Sequence, residues 1–317
     1  MYYLQAGLPI IIGTAAGTVF TWFIIPVLRK MHTGQNIRED GPGAHLAKAG
    51  TPTMGGIAII AAVVLTCLVT ERINGELVVI LTAFVLFGLL GFFDDYLKVA
   101  RKRNLGLRAW QKLVLQTAIG LVIALSRFSR LGTAVLVPMI GKYWDFGIWY
   151  VPFITFTVVA MANSVNLTDG LDGLAAGVTS ITSLFFAIVG AFSIYVGGTF
   201  CGALAGACLG FLVFNRNPAK VFMGDTGSLA LGGGLAAAVI AMRLELVLPI
   251  AGFVYVAEAL SVIIQVASFK TTGRRVFKMS PLHHHFELSG MSEKNVVRMF
   301  WAATALFCVA GLMLIKW

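Results

Sequence analysis

The chain has 317 residues, of which 58% are hydrophobic and only 12% charged, and its mean hydropathy is +0.87. Soluble domains carry about 25% charged residues, so this composition excludes an ordinary soluble fold and points to the membrane. The net charge of +10 raises nucleic acid as a partner; where the charges fall along the chain decides against it.

Apolar runs occur at about 6–28, 55–70, 77–93, 113–126, 148–162, 173–196, 199–214, 229–243, 246–268 and 296–315. A helix crosses a bilayer in roughly 20 apolar residues. The runs therefore predict about ten transmembrane helices in an all-α polytopic protein, with residues 1–317 forming a single integral membrane domain. The opening MYYLQAGLPIII has no basic segment, and the first positive charges, Arg29 and Lys30, follow the first run. That order predicts an uncleaved first helix with its N-terminus outside. An even number of helices returns the C-terminus to the same side. Cys67, Cys201, Cys208 and Cys308 all fall inside apolar runs, as small buried residues do, without a disulfide framework or metal spacing.

The loops at 29–54, 94–112, 163–172, 215–228 and 269–294 then share one face, and they hold seventeen of the 24 Lys and Arg residues. Arg72, Arg127, Arg130, Lys142, Arg243 and Lys316 fall on the other face. The loaded face is cytoplasmic by the positive-inside rule, so topology accounts for the basic excess and no nucleic-acid partner is needed. All five histidines and nine of the fourteen acids lie in the same loops. Carriers of charged solutes place ionisable groups near the midplane. Here only Glu258 lies deep in an apolar run, which favours an enzyme at the interface.

Four of these loops carry candidate chemistry. In DDYLK, Asp94 and Asp95 end an apolar run as an adjacent pair. One acid there would be an interfacial flank; two anions side by side call for a cation, either Lys98 one helical turn on or a hard divalent ion. In NSVNLTDGLDG, Asn163, Asn166, Asp169 and Asp172 recur every three residues, which on a helical turn places them on one face. The plain alternative is an Asn/Asp/Gly turn. In FNRNPAKVFMGDTGS, Asp225, Thr226 and Ser228 stand just before an apolar run as N-cap candidates. A helix N-terminus of that kind also offers N–H groups to phosphate. Phe222 in this loop is placed either to stack on a base or to pack on the membrane surface. In PLHHHFE, adjacent side chains diverge, and His283 and His285 share a face if the segment is extended. Such a cluster suits phosphate.

Together these segments, with KAGTPTMGG at 48–56, resemble the polyprenyl-phosphate N-acetylhexosamine-1-phosphate transferase superfamily, and within it the phospho-N-acetylmuramoyl-pentapeptide transferase branch. The likeness runs from the first loop to the last. It implies a Mg²⁺-dependent phosphosugar transferase of the bacterial cytoplasmic membrane. The implied reaction takes UDP-MurNAc-pentapeptide and undecaprenyl phosphate to the lipid-linked pyrophosphate and UMP, the first membrane step of peptidoglycan synthesis. By the resemblance, Asp94, Asp95 and Asp225 are catalytic acids and metal ligands, and His283 joins the catalytic set. Lys48, Lys112, Asn163, Asn166, Asp169, Asp172, Asn215, Phe222, His284 and His285 bind substrate. Whether a homodimer forms is left open. Two rival readings stand beside this one: a sister enzyme using UDP-GlcNAc, and a carrier or flippase for an anionic lipid or nucleotide-sugar.

Overall fold

The computed structural model describes residues 2–31, 48, 50–101, 106–193 and 196–315. His32 and His45, counted above among the cytoplasmic loop residues, lie outside them. The helices in chain order are α1 (Tyr2–Lys30), α2 (Gly56–Thr70), α3 (Gly75–Ala100), α4 (Ala109–Leu131), α5 (Tyr150–Thr168), α6 (Leu174–Ser193), α7 (Val196–Asn215), α8 (Gly224–Ala241), α9 (Leu248–Ala251), α10 (Phe253–Thr272), α11 (Leu282–Glu287) and α12 (Glu293–Leu314). Among the described residues nine are long and apolar enough to cross a membrane, and α2 is a shorter apolar helix of 15 residues. The chain is an all-α polytopic membrane protein, and these ten helices match the ten apolar runs.

Helix α8 sits at the centre, with nearly its whole length buried; α6 and α7 are mostly buried, whereas α1, α4, α10 and α12 leave most of their residues at the surface. The exposed side chains on the outer helices are large and apolar, such as Trp22, Leu113, Val122, Ile263 and Leu306. A face of that chemistry belongs against lipid. With no water to exclude between spanning helices, close backbone packing holds the centre together. Helices α1 and α7 cross on small residues, Gly13 and Gly17 against Ala203 and Ala207. Phe84 of α3 meets Phe200 of α7 edge to face, with centroids 5.3 Å apart.

The structure departs from the apolar runs in three places. The run at 246–268 is not one helix: α9 opens with Pro249 in its first turn and ends after four residues at Gly252, which also precedes α10, and α10 then extends to Thr272. Between α4 and α5 the chain forms an antiparallel hairpin, β1 (Ala134–Val137) paired with β2 (Lys142–Asp145). Helix α8 starts at Gly224, five residues before its apolar run, so Asp225 lies inside its first turn.

The crossing that positions the candidate site is α3 against α8. Gly91 faces the backbone of Asp225 and Thr226 so closely that a Cβ there would overlap the Asp225 carbonyl. Gly91→Val is therefore expected to force the two helices apart at a cost of about 1–3 kcal/mol. Gly7, with nothing near its missing Cβ, supplies the control. Thermal unfolding in detergent should show a lower Tm for Gly91→Val and little change for Gly7→Val.

Candidate active site

Helices α3, α4, α5 and α8 bring their polar ends together at one membrane face. Asp94 and Asp95 lie in the last two turns of α3, Lys112 in the first turn of α4, Asn166 in the last turn of α5 and Asp225 in the first turn of α8. One oxygen from each of Asp94, Asp95 and Asp225 lies within 4.8 Å of the others. Lys98 Nζ is 2.7 Å from Asp94 Oδ2 and 3.1 Å from Asp225 Oδ2. Lys112 Nζ is 3.1 Å from Asp94 Oδ2 and 2.6 Å from Asp225 Oδ2. Asp94 Oδ1 accepts the Leu107 backbone N–H at 2.7 Å. The Asn166 amide donates to Asp225 Oδ1 at 3.0 Å and to Ser228 Oγ at 2.8 Å.

Asp95 has a different set of partners. It accepts from Asp225 N at 3.2 Å, Thr226 N at 2.9 Å and Thr226 Oγ1 at 2.7 Å. The residue at the N-cap position of α8, Met223, supplies no side-chain cap. The cap therefore comes from another helix: α3 presents a carboxylate to the positive end of α8. This corrects the N-cap roles expected of Asp225, Thr226 and Ser228. The Asp225 carboxylate faces the lysines, Thr226 donates to Asp95, and Ser228 Oγ donates back to the Gly224 carbonyl at 3.1 Å.

A second polar cluster ties the loops together. Lys48 Nζ lies 2.7 Å from Asp172 Oδ1 and 2.5 Å from Glu293 Oε1. The Asn217 amide donates to Glu293 at 2.8 Å and to Asp172 at 3.3 Å, and the Ala219 N–H donates to Asp172 at 3.0 Å. Asn215 is buried; its amide donates to the Val221 carbonyl at 2.9 Å and its oxygen accepts the Gly173 N–H at 3.1 Å. Phe222 is held by its backbone, its N–H donating to Pro52 O and its carbonyl accepting from Gly55 N. Asn163 donates to Gln116 Oε1 at 2.7 Å, away from the acids. The three-residue period of Asn163, Asn166, Asp169 and Asp172 does not give one face, because α5 ends at Thr168 and the chain turns at Gly170 and Gly173.

The triple histidine is helical, in α11, which corrects the extended arrangement and the shared face for His283 and His285. His283 is fully buried; its Nδ1 is 3.0 Å from Glu258 Oε2, and its Nε2 rests against Gly170 with no hydrogen-bond partner among the described residues. A side chain at Gly170 would collide with that ring. His284 Nδ1 lies 3.1 Å from Glu287, and His285 Nδ1 accepts the Lys278 N–H at 3.2 Å. Thus Glu258, the acid within the apolar run at 246–268, is the partner of His283.

The profile of glycosyl transferase family 4 matches residues 77–243, and signature 1 of phospho-N-acetylmuramoyl-pentapeptide-transferase matches residues 48–60. The phospho-N-acetylmuramoyl-pentapeptide-transferase of Thermoanaerobacter sp. (strain X514) is 52% identical over 295 residues, covering 93% of this chain and 92% of that one. Those of Heliobacterium modesticaldum and Alkaliphilus metalliredigens are 50% and 53% identical, each over 96% of both chains. The chain belongs to the phospho-N-acetylmuramoyl-pentapeptide-transferase family. The family profile spans the acids of α3, the lysines, Asn166 and Asp225, and the signature spans Lys48 and the strand-like contact at Pro52.

No local sequence pattern marks Glu293, Asn217 and Gln116, although they hold candidate residues in place. Glu293 reads as the polar start of a helix, and its partners lie 121 and 245 residues away, a separation that no local pattern reveals. The sequence marks Thr226 as a cap, whereas its N–H and hydroxyl both donate to Asp95.

The Asp225 and Asp95 roles separate experimentally. Asp95→Asn removes the anion from the head of α8 and is expected to lower Tm, costing about 1–2 kcal/mol. Asp225→Asn loses its ion pairs with Lys98 and Lys112 but leaves the head of α8 capped, and should lower Tm less than Asp95→Asn does. Equal losses of Tm would refute the cap. Asp169 provides a pH test. Its enclosure between the loops, together with the charges of Asp225, Asp95 and Asp172, pushes its carboxyl well above the usual range. The folded state therefore holds the proton more tightly than the unfolded chain. That contribution is complete below about pH 4 and is lost as the pH rises toward the folded value. Asp169→Asn should thus show a smaller fall in Tm between pH 4 and neutrality than the wild type, measured with chelator present. An equal fall in both proteins would place Asp169 in water.

Proposed function

We propose that the chain transfers phospho-MurNAc-pentapeptide from UDP-MurNAc-pentapeptide to undecaprenyl phosphate at the cytoplasmic face of the bacterial membrane, releasing UMP. The observation that carries this reading is the meeting of Asp94, Asp225, Lys98 and Lys112 at the ends of three spanning helices, in a chain half identical to enzymes of that name. A lipid acceptor and a water-soluble nucleotide donor have to meet at such a boundary. The basic excess of the loops at this end supports the cytoplasmic side.

The donor set suits Mg²⁺: three carboxylates supply hard oxygen ligands at close quarters. Against them stand two ammonium groups, so the cluster is formally one charge negative and has room for a further cation. Asp225 and Asp94 would hold the ion, because each has an oxygen within 3.1 Å of both lysines, whereas Asp95 Oδ1 is 3.7 Å from Lys98 and both Asp95 oxygens accept from the head of α8. When bound, Mg²⁺ neutralises phosphate charge and aligns the reacting groups.

The residues themselves contribute positioning and charge. An oxygen of the lipid phosphate attacks the β-phosphorus of the nucleotide sugar, the bond from that phosphorus to the bridging oxygen breaks, and the electron pair leaves with UMP. A phosphate monoester has a second pKa of about 6, so the attacking group needs little help from a base. An ordinary aspartate, with a pKa near 3.9, would give little. Repulsion between the two anions is the larger obstacle. Lys98 and Lys112 offer cationic Nζ groups to both partners, and releasing an ammonium from Asp225 to phosphate keeps its charge paired throughout. Asn166 holds Asp225 in orientation, and the Lys48–Asp172–Glu293 cluster fixes the loops that border the nucleotide.

Purified protein given both substrates and Mg²⁺ should release UMP in step with lipid-linked pyrophosphate and should lose turnover with chelator. Release of UDP would mean glycosyl transfer and would refute the mechanism. Preference for UDP-GlcNAc would move the chain to the sister activity, and flux into vesicles without chemistry would make it a carrier. Asp225→Asn should cut turnover by at least about 10²-fold, the scale seen when a key electrostatic group is lost. Activity within a few-fold of wild type would remove Asp225 from the site.

A further inference from the structure

The same three helices that carry the acidic cluster at one end enclose a cavity of about 180 Å³ at the other. Glu76 and Asp94 are 18 residues apart on α3, so the two sites are separated by about 27 Å along the helix. The cavity lies between the start of α3 and the ends of α4 and α8. Its walls are apolar, from Val79, Ile80, Ile123 and Ala237, and its polar side is formed by Arg127 and Arg130, with Glu76 between the helices. These two arginines are on the face that the positive-inside rule leaves poor in charge, and nothing in the proposed reaction uses them.

Arg127 is 5% exposed. Its Nη2 donates to the last carbonyls of α8, Ile240 O at 2.8 Å and Ala241 O at 3.1 Å, and its Nη1 lies 3.3 Å from Glu76 Oε1. Its Nε is buried without a hydrogen-bond partner among the described residues. Arg130 is exposed and lies over Gly75, the first residue of α3, and it makes no hydrogen bond or ion pair with any described residue. Glu76, the buried Glu245 and the α8 carbonyls therefore balance the charge of Arg127, while that of Arg130 is left over. Arg130 lies in the last turn of α4, where the helix dipole favours a cation, and no carboxylate among the described residues pairs with it.

A cationic rim over an apolar cavity at the edge of a bilayer fits an anion carried on a hydrocarbon tail. We propose that this cavity binds the phosphate headgroup of an anionic phospholipid from the leaflet opposite the acidic cluster, with Arg130 contacting the phosphate and the first methylenes of the lipid filling the space beside Val79 and Ile123. Basic pockets between spanning helices take such headgroups, and guanidinium pairs with phosphate through two parallel hydrogen bonds. A lipid seated there bridges α3, α4 and α8, the helices whose opposite ends hold Asp94, Lys112 and Asp225.

The test titrates the full-length protein, in a neutral detergent, with phosphatidylglycerol, phosphatidylcholine or sodium phosphate. Tm is followed, and native mass spectrometry counts the lipids retained. Phosphatidylglycerol should raise Tm more than phosphatidylcholine, whose choline offsets the phosphate charge. Arg130→Gln should weaken the phosphatidylglycerol titration roughly tenfold, the worth of one charge-assisted contact. Val79→Phe, which keeps both arginines and fills the cavity, should weaken it as well. Arg72→Gln, an exposed arginine of the same face outside the cavity, should leave it unchanged. Wild-type titrations in both Arg130→Gln and Val79→Phe would overturn the site. An equal shift from sodium phosphate alone would overturn the lipid as its occupant.

Discussion

Most of the site depends on one interaction across the α3–α8 crossing, the carboxylate of Asp95 accepting the first N–H groups of α8. A helix that begins among polar loops needs an acceptor for its unpaired donors, and a local Ser, Thr, Asn or Asp usually supplies one. Here the acceptor comes from 130 residues away, and Gly91 lets the backbones approach closely enough for it to reach. Adjacent positions on α3 then divide the work. Asp95 secures the head of α8, and Asp94 faces the lysines together with Asp225.

The cost of this arrangement is a concentration of like charge, and the structure offsets it with cations from two separate elements. Lys98 arrives one turn beyond Asp94 on α3, and Lys112 comes from the start of α4. Long, flexible ammonium side chains can change partners without moving a helix. A rigid frame with mobile counter-charges is what a reaction between two anionic substrates requires. The loops bordering the cluster are held by a different set of charges, Lys48 with Asp172 and Glu293, so that loop position does not depend on the two lysines that pair with Asp94 and Asp225.

Hydropathy made the membrane fold legible, because a span announces itself by length alone; ten runs correspond to ten apolar helices. The break at Gly252 and the start of α8 were not legible in the same way. The first falls at Gly252, one glycine among many in the chain, and the second depends on a cap supplied by α3. The Asp94–Asp95 pair stood out because topology had no need of it, and Asp225 because of its loop. That these three acids converge was carried by the family resemblance rather than by any local pattern. The histidines show the limit most clearly. Three in a row read as a surface cluster for phosphate, yet packing buries His283 against Glu258 and Gly170, residues that lie in other parts of the chain.

The central claim is that Asp94 and Asp225 share a divalent ion while Asp95 keeps α8 in place. Anomalous diffraction from crystals of the full chain grown with Mn²⁺ in place of Mg²⁺ tests it most directly. The account predicts a single strong peak within ligand distance of the Asp225 and Asp94 carboxylates, with the Asp95 contacts to Asp225 N and Thr226 N intact and at least one lysine displaced from the acids. A peak bound to Asp95 with α8 released from it, or no peak near Asp225, would contradict the account.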